Sequence, residues 1–167
     1  MKVLMTLLLL ALGVNAASLA DLTYTTTDGK VTITKCKRAA SGELLIPDTI
    51  EGNPVTSIGY FAFEFSSLTN ITIPNSVTSI EEGAFSLCTN LTSITISNGV
   101  TSIEAGAFAY CESLTNITIP DSVTSIGIEA FYNCTNLASI TIGNGVESVG
   151  GGAFENCMSL TSITIPD

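Results

Sequence analysis

Apolar residues recur along this chain in a fixed order. From Leu68 the sequence reads L-x-x-I-x-I-x-x-x-V-x-S-I/V-x-x-x-A-F-x-x-C-x-x four times at an interval of 23 residues, over Leu68–Asn90, Leu91–Ser113, Leu114–Asn136 and Leu137–Ser159, and a truncated fifth copy starts at Leu160. Self-similarity at this period marks one structural unit stacked on its neighbours around a continuous core. The I-x-I part alternates, which predicts a short strand with one buried face and the intervening residues pointing outward. Pro74, Ser97, Pro120 and Gly143, each followed by Asn or Asp, are turn residues that end the strand. A second apolar pair follows, from Val77 and Ile80 through Val146 and Val149, and then Ala84–Phe85, Ala107–Phe108, Ala130–Phe131 and Ala153–Phe154. A small residue beside a large one lets successive coils interlock, and burying one such phenylalanine contributes ~1.5–3 kcal/mol. The four phenylalanines should therefore line up in one spine.

A looser copy lies upstream. Leu44, Ile46–Pro47, Val55, Ile58 and Ala62–Phe63 match the template once four extra residues near Ile50–Asn53 are allowed for, and Ser66 stands where later copies have cysteine. The segments IPNSVTSIEEGAFSLCTNLTSITI and IPDSVTSIGIEAFYNCTNLASITI resemble the leucine-rich repeats of BspA-like surface proteins, the treponemal type, and the resemblance covers roughly residues 41–167. It implies a right-handed solenoid with parallel β-strands on the concave side and short turns or helical pieces elsewhere. It also implies a secreted or cell-surface protein, often an adhesin.

The front of the chain sets the expected compartment. Met1–Lys2, the apolar run Val3–Val14 and the small residues Asn15–Ser18 read as a secretory signal peptide over residues 1–17, cleaved after Ala16 or Ala17. The apolar run is shorter than the ~20 residues a spanning helix needs, so the mature chain should hold no membrane span. Residues 18–40 read as a β-hairpin cap turning at Asp28–Gly29, and residues 41–167 as the repeat array. The fifth copy stops before its Val, Ala–Phe and Cys positions, so either a longer parent chain or a covering partner is expected.

Charge and chemistry narrow the function. The chain carries a formal net charge of −10, and from Ala39 to Asp167 it has no Lys, Arg or His against thirteen acidic residues. No basic stripe exists to neutralise phosphates, so nucleic acid is not an expected partner. Lys30, Lys35, Lys37 and Arg38 all fall in the cap, which suggests end-to-end self-association of a basic end with an acidic body. Glu81 and Glu104 share one repeat position, but the other glutamates are scattered, so no calcium ladder or other metal site is expected. The complete absence of histidine removes Ser–His–Asp and Cys–His constellations and a histidine general base, and no enzyme activity or cofactor is expected. Cys88, Cys111, Cys134 and Cys157 share one repeat position. Cysteines in a secreted chain suggest disulfides, but side chains equivalent by repeat point the same way, which favours a column of small buried groups.

Recognition should then fall on the outward strand positions. These are Asn70 and Thr72, Ser93 and Thr95, Asn116 and Thr118, then Ser139 and Thr141, with Ser162 and Thr164 beginning a fifth pair. They predict a polar face that docks a protein or glycan through many weak contacts. The competing reading is a structural envelope or matrix solenoid with no dedicated ligand, since threonine is also simply a good exposed strand residue.

Overall fold

The computed structural model describes residues 16–163. The signal-peptide reading therefore lies outside the described residues except at Ala16 and Ala17, as does Thr164. After a 3-10 turn at Leu19–Asp21 the chain is built of strands alone: β1 (Leu22–Thr27), β2 (Lys30–Cys36), β3 (Ser41–Leu45), β4 (Thr49–Ile50), β5 (Asn53–Ile58), β6 (Ser67–Thr72), β7 (Ser79–Ile80), β8 (Ser93–Thr95), β9 (Ser102–Ile103), β10 (Asn116–Ile119), β11 (Ser125–Ile126), β12 (Ser139–Ile142) and β13 (Ser148–Val149). No helix among the described residues is long and apolar enough to cross a membrane.

Each repeat makes one coil of a solenoid, and each coil contributes to two parallel ladders. The I-x-I strands pair as β3–β6–β8 and as β10–β12. The S-I/V dipeptides pair in a second, unbroken run, β5–β7–β9–β11–β13, in which Ser57, Ser79, Ser102, Ser125 and Ser148 stand side by side. β2 of the hairpin joins the same run beside β5, burying Val31 and Ile33 completely. Helical pieces are confined, among the described residues, to the one 3-10 turn. The segment between the ladders is made of tight turns instead, because two positions per coil take a left-handed backbone, for example Gly83 (φ 62°) and Leu87 (φ 59°), and such positions cannot lie within a right-handed helix.

The insertion between the two ladders of the first coil is five residues, one more than the four by which that coil exceeds the 23-residue repeat. Leu44 pairs with Ile71, 27 positions on, whereas Ile58 pairs with Ile80, 22 positions on. The surplus folds into a small hairpin, Thr49 opposite Pro54 and Ile50 opposite Asn53, turning through Glu51–Gly52 at positive φ.

The core runs as columns along the stack. Phe63, Phe85, Phe108, Phe131 and Phe154 form one spine, with ring centroids 4.9, 5.2, 5.1 and 5.4 Å apart. The backbone N–H groups of Phe63, Phe85, Phe108 and Phe131 donate to the Ala84, Ala107, Ala130 and Ala153 carbonyls of the next coil, at 2.7–2.8 Å. Beside them the repeat cysteines are buried free thiols. Each donates to a phenylalanine carbonyl one coil back: Cys88 to Phe63 (3.0 Å), then Cys111 to Phe85, Cys134 to Phe108 and Cys157 to Phe131 (all 3.2 Å). Except where β8 meets β10, each coil is thus bonded to the next on three sides, and the column position gives each thiol a backbone acceptor.

Candidate functional site

The strand face is assembled by register. Asn70 lies opposite Ser93 and Thr72 opposite Thr95; farther along, Asn116 lies opposite Ser139 and Thr118 opposite Thr141. Because alternate strand residues share a face, the eight predicted site residues form two outward columns, one of Asn and Ser and one of Thr. Thr95, Asn116, Thr118, Ser139 and Thr141 are exposed, while Asn70, Thr72 and Ser93 are half-buried. Asn70 is partly spent on the fold, since its Nδ2 donates to Ser93 Oγ at 2.7 Å. Asn116 Nδ2 reaches only its neighbour Thr115 Oγ1, at 3.1 Å.

The columns do not begin at Asn70. β3 pairs with β6 so that Glu43 stands opposite Asn70 and Leu45 opposite Thr72. Together with Thr72, Ser93 and Thr95 these residues border a depression of about 230 Å³ at the cap end of the face. Leu45 is 73% exposed, which makes it the apolar head of the threonine column. Sequence reasoning passed over both residues, although the Leu44-x-Ile46 alternation places Glu43 and Leu45 outward by the same rule as the rest.

The two columns continue past a gap. β8 and β10 lie side by side but no strand pairing joins them, so the face consists of a three-stranded and a two-stranded panel. Ile94 and Ile96 at the gap are 7% and 8% exposed, against 2% and 0% for Ile71 and Ile73 one coil earlier.

The buried thiols do not behave alike, since hydrogen bonding with the neighbouring Cys111 and Cys134 lowers the pKa of Cys88 and Cys157. Burial pushes Cys111 well above its ordinary value, and burial, with Asp21 nearby, pushes Cys36 up to about 12. A thiol held in its protonated form is a poor nucleophile. Among the described residues no group of three or more Cys, Asp or Glu side chains converges where a metal ion could be held.

A model of the BspA type leucine rich repeat region matches residues 56–167 in six copies. The chain belongs to the BspA-type leucine-rich-repeat family. Among solved structures, a leucine-rich-repeat protein of T. pallidum is similar at 31% identity and a TM-score of 0.84, over 90% of this chain and 72% of its own. A leucine-rich cell-surface protein of Faecalibacterium prausnitzii shares 31% identity at a TM-score of 0.77, over 84% of this chain. A leucine-rich-repeat protein of Bacteroides ovatus shares 33% at a TM-score of 0.76, over 87%. This BspA-type chain spans only 36% and 40% of the latter two. No curated protein compared with it matches.

Proposed function

We propose that this BspA-type chain is the interaction module of a secreted or cell-surface protein, and that the strand face takes up an extended protein or glycan partner. One observation carries the reading. The hydroxyls of Thr72, Thr95, Thr118 and Thr141 make no side-chain hydrogen bond within the described residues, whereas threonines elsewhere in the repeat donate back to the preceding coil. Thr101 Oγ1 bonds the Thr78 carbonyl at 3.1 Å and Thr124 Oγ1 the Thr101 carbonyl at 3.2 Å. A column of unspent donors and acceptors at coil spacing suits a ligand that is itself extended and repetitive. Leu45 adds an apolar anchor at one end. Affinity built this way is modest per contact and grows by repetition. The leader-like front of the sequence and the naming of the F. prausnitzii relative as a cell-surface protein support export.

The test is a triple substitution, Thr95→Lys, Thr118→Lys and Thr141→Lys, assayed on immobilised matrix proteins and a glycan array. Capture seen with the parent chain should disappear while the thermal unfolding midpoint stays near that of the parent. Unchanged capture would remove the strand face from recognition and move the site to the convex side or the cap, whereas no capture by the parent chain would favour the structural-envelope reading.

A further inference from the structure

The turns carry a second concavity, away from the strand face. In each coil the residue ahead of the Ala–Phe pair has a left-handed backbone: Phe61, Gly83, Gly106, Glu129 and Gly152, with φ of 48, 62, 59, 55 and 66°. Glycine suits this conformation, and a large side chain there is a costly choice. Over the second and third coils the position is glycine, and the neighbouring Ser86, Ala105 and Ala109 are small, so the surface sinks into a trough of about 230 Å³. Phe61 closes one end. Its ring lies over Gly83 so closely that a Cβ there would collide with it, and Tyr60 meets the ring edge-on at a centroid distance of 4.3 Å. Ile128, 61% exposed, and Glu129 close the other end. The large and small residues at these positions are the ones the repeat leaves free to vary, so the trough is a local departure from an otherwise uniform stack.

Its rim is acidic and unspent. Glu81 is committed to the fold, accepting from Ser57 Oγ and from the Tyr60 N–H. Glu82 and Glu129, by contrast, border the trough, are exposed, and make no side-chain hydrogen bond or ion pair among the described residues. No Lys, Arg or His occurs from Ala39 to Asp167 to neutralise them from within.

We propose that this trough binds an extended segment of a partner protein in which an aliphatic side chain is flanked by Lys or Arg. The floor of glycine and alanine between Phe61 and Ile128 takes the aliphatic group out of water, and the flanking cations meet Glu82 and Glu129. This is independent of the strand-face reading, because it uses a different surface and a different chemistry.

Fluorescein-labelled synthetic peptides with a central Leu between lysines, titrated at low ionic strength and followed by anisotropy, test it. They should bind, and peptides with Leu→Ser, or with the lysines replaced by glutamates, should bind more weakly. Ala105→Phe fills the trough and should weaken binding by at least roughly tenfold, a loss of about 1.4 kcal/mol. The surface pair Glu82→Gln and Glu129→Gln, which leaves the core untouched, should erase the preference for lysine over glutamate flanks. Added salt should weaken the lysine peptide, since exposed charges are screened within about 10 Å at 0.1 M. The triple lysine variant of the strand face should bind this peptide no worse than the parent chain. Absence of binding, equal binding of lysine- and glutamate-flanked peptides, or a flank preference that survives the Gln pair would overturn the proposal.

Discussion

Thr101 and Thr118 are both repeat-borne threonines with exposed side chains, yet they stand in different relations to the fold. Thr101 lies immediately before β9, beside the ladder that runs unbroken from β2 to β13, and its hydroxyl is bonded to the coil behind it. Thr118 belongs to the ladder that is divided between β8 and β10, and its hydroxyl is unspent within the described residues. The regularity of a column therefore does not reveal what the column is for. The side chain's hydrogen-bond partner does: where the fold supplies an acceptor the hydroxyl holds coils together, and where it supplies none the hydroxyl is left for something else.

Breaking what the two ladders share should have the largest effect. Phe108→Ala removes a fully buried ring stacked between Phe85 and Phe131, and should lower unfolding free energy in urea by ~3–5 kcal/mol. Both faces should lose stability together, since the spine backs both.

An alkaline titration probes the thiol side of the same core. Cys36 and Cys111 hold their protons more tightly folded than unfolded, so the unfolded chain releases protons first as pH rises. For Cys36 the stabilisation is whole below the ordinary thiol value of 9.0 and is lost toward about 12. The urea midpoint should fall across that window, and Cys36→Ala should make the fall shallower.

The comparison itself is sharpened by a matched pair. Thr101→Val deletes a hydroxyl bonded to a backbone carbonyl and should cost ~0.5–1.5 kcal/mol in a urea melt. Thr118→Val should stay within about 0.5 kcal/mol of the parent chain, as a surface change with no partner does, while weakening capture on the strand face. If the two cost the same, the distinction between spent and unspent threonines fails.

Much of this was readable from residues. The 23-residue period and the I-x-I alternation placed the phenylalanine spine and all eight outward positions, because period and side-chain direction are linked by strand geometry. The second ladder was not readable as such: Ser79–Ile80 and its equivalents are two residues long, too short for alternation to show. Glu43 and Leu45 were obscured by the insertion, which displaces the first coil's strand from the 23-residue period by four positions. The trough was hidden for a different reason. Its floor depends on which turn residue takes a left-handed backbone, and Phe61 and Glu129 do so where glycine would be the ordinary choice. The partial burial of Asn70 likewise depends on a cross-coil bond to Ser93 that spacing alone does not specify.

Ladder bonds are what resist one strand sliding past the next. With β8 and β10 unpaired while β9 and β11 stay paired behind them, the molecule resembles a bound book opened at one page, sewn at the back and loose at the front. A partner gripping Thr95 and Thr118 together would act as a clasp across that opening. Its arrival should be felt as slower amide exchange along Ser93–Thr95 and Asn116–Ile119, and as a stiffening of the whole rod that no single panel could supply.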